Sequence, residues 1–270
     1  MTPVAWLQLG LVTVLAATAQ GAIGFAFTLL ALPFFLLVLE STEAIQIMLV
    51  LNLVVPLCLV RHLWRDVPKD LWRLLLIGAV FGLPLGMVAF AYASLETLKL
   101  VVGVVVLVFA GVLILRRSSP RERSASAPLS HTAKGSLDPT PAESTVGRYR
   151  SPSVLFVGAA AGAMTSALGM PGPAMVLYMT GIGVGKVAFR ALSLSLFVVL
   201  YIVALVLQSA TVGVPLRVWI AAAALVPLAG FGAFAGHALA RKIGEVMFGW
   251  LVLLLLVATG AYMLFTTLRT

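Results

Sequence analysis

The chain has 270 residues, of which 61% are apolar and 10% charged, and its mean hydropathy is +1.12. Soluble domains run about 45–50% apolar and about 25% charged, so this chain cannot furnish the surface of a soluble enzyme, a DNA-binding module or a disordered protein. It reads as an all-α, polytopic integral membrane protein. The net charge of +9 comes from 18 Lys and Arg against 9 Asp and Glu. Seven of the basic residues fall between Arg116 and Ser151 and most others in short gaps between apolar runs. That distribution marks the cytoplasmic side of a membrane protein and is no nucleic-acid patch.

Charges divide the chain into uncharged stretches at 1–39, 44–60, 74–95, 100–115, 151–185, 191–216, 218–240 and 246–268. A spanning helix takes about 20 apolar residues, so six of these fit one helix each. The first, 1–39, is too long for one span and carries Gly21 and Gly24 near its middle. Residues 1–10 hold no Lys or Arg, so the basic region of a cleavable signal is missing and this run is expected to stay. Cys58, the single cysteine, sits in the next run and reads as a small buried hydrophobe. Residues 116–151 hold 11 Ser and Thr, four prolines and few large apolar side chains, and read as a disordered linker. The stretch 151–185 is again overlong and is punctuated by Gly169, Pro171, Gly172 and Pro173. Each overlong stretch is a broken helix or a re-entrant hairpin.

The two sides of the linker resemble each other. Gly21-Ala22-Ile23-Gly24-Phe25 aligns with Ser166-Ala167-Leu168-Gly169-Met170, Gly82 and Gly86 with Gly232 and Gly236, and Glu96 and Gly111 with Glu245 and Gly260. The order and offset are kept, so the chain reads as a tandem duplication, with repeats at 1–115 and 152–270. Arg61, Arg65, Lys69 and Arg73 flank the second gap of the first half, whereas Lys186 and Arg190 fill the first gap of the second half. The basic bias therefore swaps gaps, and the halves read as inverted, each a break plus three spans; eight plain spans in parallel repeats is the rival arrangement. Both occur among transporters.

No Asp, Glu, Lys or Arg lies inside any stretch, and His237 is the only histidine in them. An intramembrane metalloenzyme needs a cluster of such ligands, so no catalysis, metal or cofactor is expected. His237 reads as a helix-end residue beside Arg241. The functional candidates are the breaks. A half-helix N-terminus offers free N–H groups and a positive dipole end to an anion, and Gly21, Gly24, Gly169 and Gly172 supply the interruption. Gln20, Thr28, Thr165 and Ser166 add neutral hydrogen-bonding groups. Lys186 and Arg190, one helical turn apart, would either draw an anion toward the second break or anchor a helix end. Gln46, Asn52, Ser193 and Ser195 are secondary contacts or plain interhelical bonds. The glycine pairs Gly82/Gly86 and Gly232/Gly236 are read as packing devices.

On these residues the chain resembles the TauE/SafE family of sulfite exporters. The matching stretches are Gln20-Gly21-Ala22-Ile23-Gly24-Phe25-Ala26, running on to Pro33, and Gly158 to Pro173. The glycine pairs and closing helices match as well. Where the family carries a Gly-Gly-Gly cluster, this chain has Phe25-Ala26-Phe27 and Met170-Pro171-Gly172. The resemblance implies export of sulfite, a sulfonate or a related oxyanion across the cytoplasmic membrane; the basic residues of 116–151 place that segment inside the cell. The expected partners are the small anion and the lipid bilayer, with a homodimer as an open option. A channel, a transporter of another solute and a non-transporting scaffold are the alternatives.

Overall fold

The computed structural model describes residues 3–117, 151–239 and, in the last apolar run, 257, 258, 260, 261 and 265. All regular structure among the described residues is helical. The helices are α1 (Pro3–Ile23), α2 (Phe27–Leu39), α3 (Glu43–Leu63), α4 (Lys69–Tyr92), α5 (Leu95–Arg117), α6 (Ser151–Leu168), α7 (Gly172–Gly181), α8 (Lys186–Thr211) and α9 (Leu216–Leu239), with a 3-10 turn at Trp64–Asp66. Six of them, α1, α3, α4, α5, α8 and α9, are long and apolar enough to cross a membrane. The protein is thus an all-α polytopic membrane protein. Residues 118–150 and Glu245 lie outside the described residues; Arg116, Arg117 and Ser151, expected in the disordered linker, are helical, closing α5 and opening α6.

Several helices run a turn beyond the apolar stretches that announce them. Lys69, Asp70 and Arg73 belong to α4, Glu96 and Lys99 to α5, and Lys186 and Arg190 to α8. Long basic side chains reach the interface while their backbone stays helical at greater depth, so a charge marks a helix end only to within about a turn.

Glycine sets the two tightest contacts. Gly78, Gly82 and Gly86 of α4 lie against Leu155, Ala159 and Ala163 of α6. Gly10 of α1 faces Leu228 of α9, Val14 faces Gly232 and Thr18 faces Gly236. Both series advance by four residues on each partner, so each pair is parallel. In lipid, where hydrophobic burial between helices is weak, such small-residue seams supply association by close backbone approach. Each seam joins a helix from before the linker to one from after it.

These pairings fix directions. Gln46 Nε2, in the first turn of α3, donates to the Gly213 carbonyl in the α8–α9 turn at 2.9 Å, and Arg217 of α9 pairs with Glu43. The start of α3, the end of α8 and the start of α9 therefore share one end of the bundle, the upper end. Parallel to α9, α1 also starts there. Three residues join α2 to α3, so the chain descends in α1, breaks, and returns in α2. At the lower end α4 begins, and α6, parallel to it, begins there too. The Ser153 and Tyr178 hydroxyls, near the start of α6 and the end of α7, lie 3.4 Å apart. The chain therefore rises in α6, breaks, and returns in α7. The two breaks are entered from opposite ends.

Candidate functional site

Each break is built from a helix stop and a fresh start. At the first, the Gly24 N–H closes on Gln20 O at 2.7 Å and Gly24 takes φ +104°, a left-handed-side conformation that side chains resist. Phe25 then sets its ring edge-on to Phe109 of α5 and Phe189 of α8, with centroids 5.9 and 5.8 Å away. At the second, the Met170 N–H reaches back to Met164 O at 3.1 Å and Gly169 takes φ +66°, the closure of a glycine-capped helix end. Pro171 and Pro173 follow. Neither α2 nor α7 has a side-chain bond from its own N-cap residue.

The two breaks touch. A Cβ on Gly172 would lie 3.3 Å from the Phe25 carbonyl, and Thr28 Oγ1 donates to the Gly169 carbonyl at 2.7 Å. Asn52 of α3 donates to the same Thr28 hydroxyl at 2.7 Å and to Met48 O at 2.8 Å. The fully buried Tyr201 of α8 also engages the Thr28 side chain. The N-terminal ends of α2 and α7, each bearing a partial positive charge, therefore meet inside the bundle around one threonine.

Gln20 is buried on the preceding turn, and its Oε1 accepts the Phe27 N–H at 3.2 Å, capping α2 from seven residues upstream. The Gly21 carbonyl accepts from Arg190 Nη2 at 2.5 Å, and the same nitrogen lies 2.8 Å from His237 Nδ1. Arg190 thus stands at the first break, although in the chain it follows the second. Arg241 lies outside the described residues; His237 has the helix-end place expected of it, in the last turn of α9, and there it contacts Arg190. Its one advance signal was its rarity in the apolar stretches; the partner lies 47 positions away.

Other expected site residues serve the scaffold. Thr165 Oγ1 bonds Ala161 O of its own helix at 2.6 Å, and Ser195 Oγ bonds Leu192 O at 3.0 Å. Ser166 Oγ donates to Leu83 O at 2.6 Å, tying α6 to α4, while its carbonyl accepts from Gln208 Nε2 at 2.9 Å. Gln46 ties the upper end, away from the breaks. Ser193 is buried, and its hydroxyl has no partner among the described residues. Lys186 opens α8; its side chain lies outside the described residues. Gln208 and Tyr201 were not singled out by sequence: one is a lone amide in an apolar run and the other is an aromatic indistinguishable from packing. Among the described residues no group of three His, Cys, Asp or Glu could hold a metal.

Membrane helices interrupted inside the bundle, with half-helix ends gathered around polar side chains, define a secondary-transporter architecture. The chain belongs to the TauE/SafE family: the family model described as "Sulfite exporter TauE/SafE" matches residues 9–263. It is accordingly a multi-pass membrane protein of a family that transports sulfur-containing anions. No curated protein and no solved structure matches it.

Proposed function

We propose that the protein exports a small sulfur oxyanion, sulfite or a sulfonate, by alternating access. The observation that carries this reading is the meeting of two half-helix N-termini at Phe25–Gly172 and Thr28–Gly169. Like dipole ends repel, and an anion held between them turns that repulsion into binding. Gly24, Gly169 and Gly172 permit the approach, and Thr28, Asn52 and Gln20 supply neutral hydrogen bonds.

The two parts 1–115 and 152–270 act in this reading as inverted repeats, their breaks entered from opposite faces. The lower end is cytoplasmic, because Arg61, Arg65, Lys69, Arg73, Lys186 and Arg190 cluster toward it while Glu40, Glu43 and Glu96 mark the other. An anion leaving a negative-inside cell gains about 2.3 kcal/mol per charge per 100 mV. That gain can drive export with no titratable carboxylate in the bundle. The test is sulfite flux in proteoliposomes under an imposed potential. Saturable flux that follows the potential is the expected result; its absence in folded protein would shift the assignment to another solute or to a scaffold.

A further inference from the structure

The first break holds two hydrogen-bond donors that have no partner among the described residues. Gln20 is 1% exposed, and the bond from the Phe27 N–H fixes its carbonyl end as the acceptor. Its Nε2 is therefore the end left over, buried with no partner among the described residues. Arg190 Nε is buried and likewise has none among them. The two residues meet on one turn: Arg190 bonds the carbonyl of Gly21, next to Gln20, and its Cγ lies 3.2 Å from where a Gly24 Cβ would stand. A guanidinium only donates, so in its contact with Arg190 the His237 Nδ1 is the acceptor. Neither of these partners carries a full negative charge: His237 is neutral there, and the Gly21 carbonyl, in the last turn of α1, supplies only the partial charge of a helix end.

Two buried donors, a cation and a helix N-terminus call for a ligand that only accepts hydrogen bonds and carries negative charge. We propose that Arg190 is the charge receptor for the transported anion, with one ligand oxygen on Arg190 Nε and another on Gln20 Nε2. His237 is a positioning residue that holds the guanidinium against α1. The site then selects an anion with two or more oxygens on one centre over a monatomic anion of equal charge. This inference rests on the transport reading above and deepens it.

The experiment uses the full chain in proteoliposomes, with sulfite as the probe and chloride as the competitor. Wild-type sulfite flux is measured first, then its half-saturating concentration in Arg190→Gln, Arg190→Lys and Gln20→Glu, each checked for an unchanged melting profile. Loss of a charge-assisted bond raises that concentration about tenfold or more in Arg190→Gln. Arg190→Lys, which keeps the charge but loses the fork, falls between. Gln20→Glu retains an acceptor for Phe27 and replaces the donor by a carboxylate, so it weakens sulfite at least as much as Arg190→Gln. If Arg190→Gln does not fold, the other two variants decide. Wild-type flux with half-saturation unchanged in the folded variants overturns this inference alone, as does equal competition by chloride. No flux from wild-type protein overturns the transport reading and this inference with it.

Discussion

Thr28 Oγ1 donates a 2.7 Å hydrogen bond to the carbonyl of Gly169, 141 positions along the chain. That bond joins the first turn of one half-helix to the stop of the opposite hairpin. The same hydroxyl accepts from Asn52, so one side chain holds α2, α3 and the second break together. Thr28→Val keeps the shape and removes the hydroxyl, leaving the Gly169 carbonyl and one Asn52 donor contact unmet. The expected cost is about 1–3 kcal/mol, read as a lower melting temperature in detergent. Thr28→Ser, which restores the hydroxyl, should recover most of it. A Thr28→Val protein as stable as wild type would mean the breaks are held by packing alone.

Glycine in α9 offers an internal control. Among the described residues nothing lies within 4 Å of a Cβ built on Gly230, whereas on Gly232 it would meet Ala17 Cβ and Val14 O at 2.7 Å. Gly230→Ala should be neutral or gain about 0.5–1 kcal/mol from helix propensity. Gly232→Ala must push α1 off α9, an overpacking cost of about 1–3 kcal/mol. Thermal unfolding of the two single variants decides, and equal melting temperatures would contradict the parallel α1–α9 seam.

At Gly169 the constraint is the backbone, not space. Its φ is +66°, while the nearest atom to an added Cβ is 3.7 Å away, on Leu49. Gly169→Ala should therefore cost about 1–2 kcal/mol, the penalty for a left-handed L-residue, and Gly169→Asn less. At Gly24, φ +104° combines with the Arg190 side chain at 3.2 Å, so alanine there should lose more. Unfolding measurements on the three variants, Gly169→Ala, Gly169→Asn and Gly24→Ala, would show whether this ordering holds.

How far the sequence reached depended on how local each feature is. Both breaks were legible because an uncharged run too long for one span must be interrupted, and glycine and proline showed where. Gln20, Thr28 and Asn52 were legible as polar groups in apolar helices, which must find partners. Their partners were not, since Thr28 meets Gly169 across 141 positions. Arg190 was read as drawing an anion toward the second break or anchoring a helix end. Its helix begins four residues earlier, at Lys186, and its side chain turns to the first break instead. The hydroxyl of Thr165 could have faced the break; instead it bonds its own helix, an outcome that composition does not distinguish. The exchange of α1 and α6 onto α9 and α4 is a tertiary choice with no local signature beyond the glycine spacing.

Orientation gives the sharpest remaining prediction, because it decides whether Arg190 and the first break lie toward the cytoplasmic or the outer face. Thr97 is exposed near the upper end, in the first turn of α5, and Arg65 is exposed at the lower end, in the 3-10 turn. Cys58 is the only native cysteine, so Cys58→Ser provides a silent background. In intact cells a membrane-impermeant maleimide should label Thr97→Cys and leave Arg65→Cys untouched until the membrane is permeabilised. The prediction follows from the basic cluster at Arg61, Arg65, Lys69 and Arg73, which resists translocation, and from the direction of α3, which carries the chain from Glu43 to that cluster. The opposite labelling pattern would place Arg190 and the first break nearer the outer face. The potential, negative inside, would still pull an anion outward from the cytoplasm to Arg190. That pattern would therefore move the first break toward the exit face and overturn the assignment of the lower end to the cytoplasm, without reversing the driving force for export.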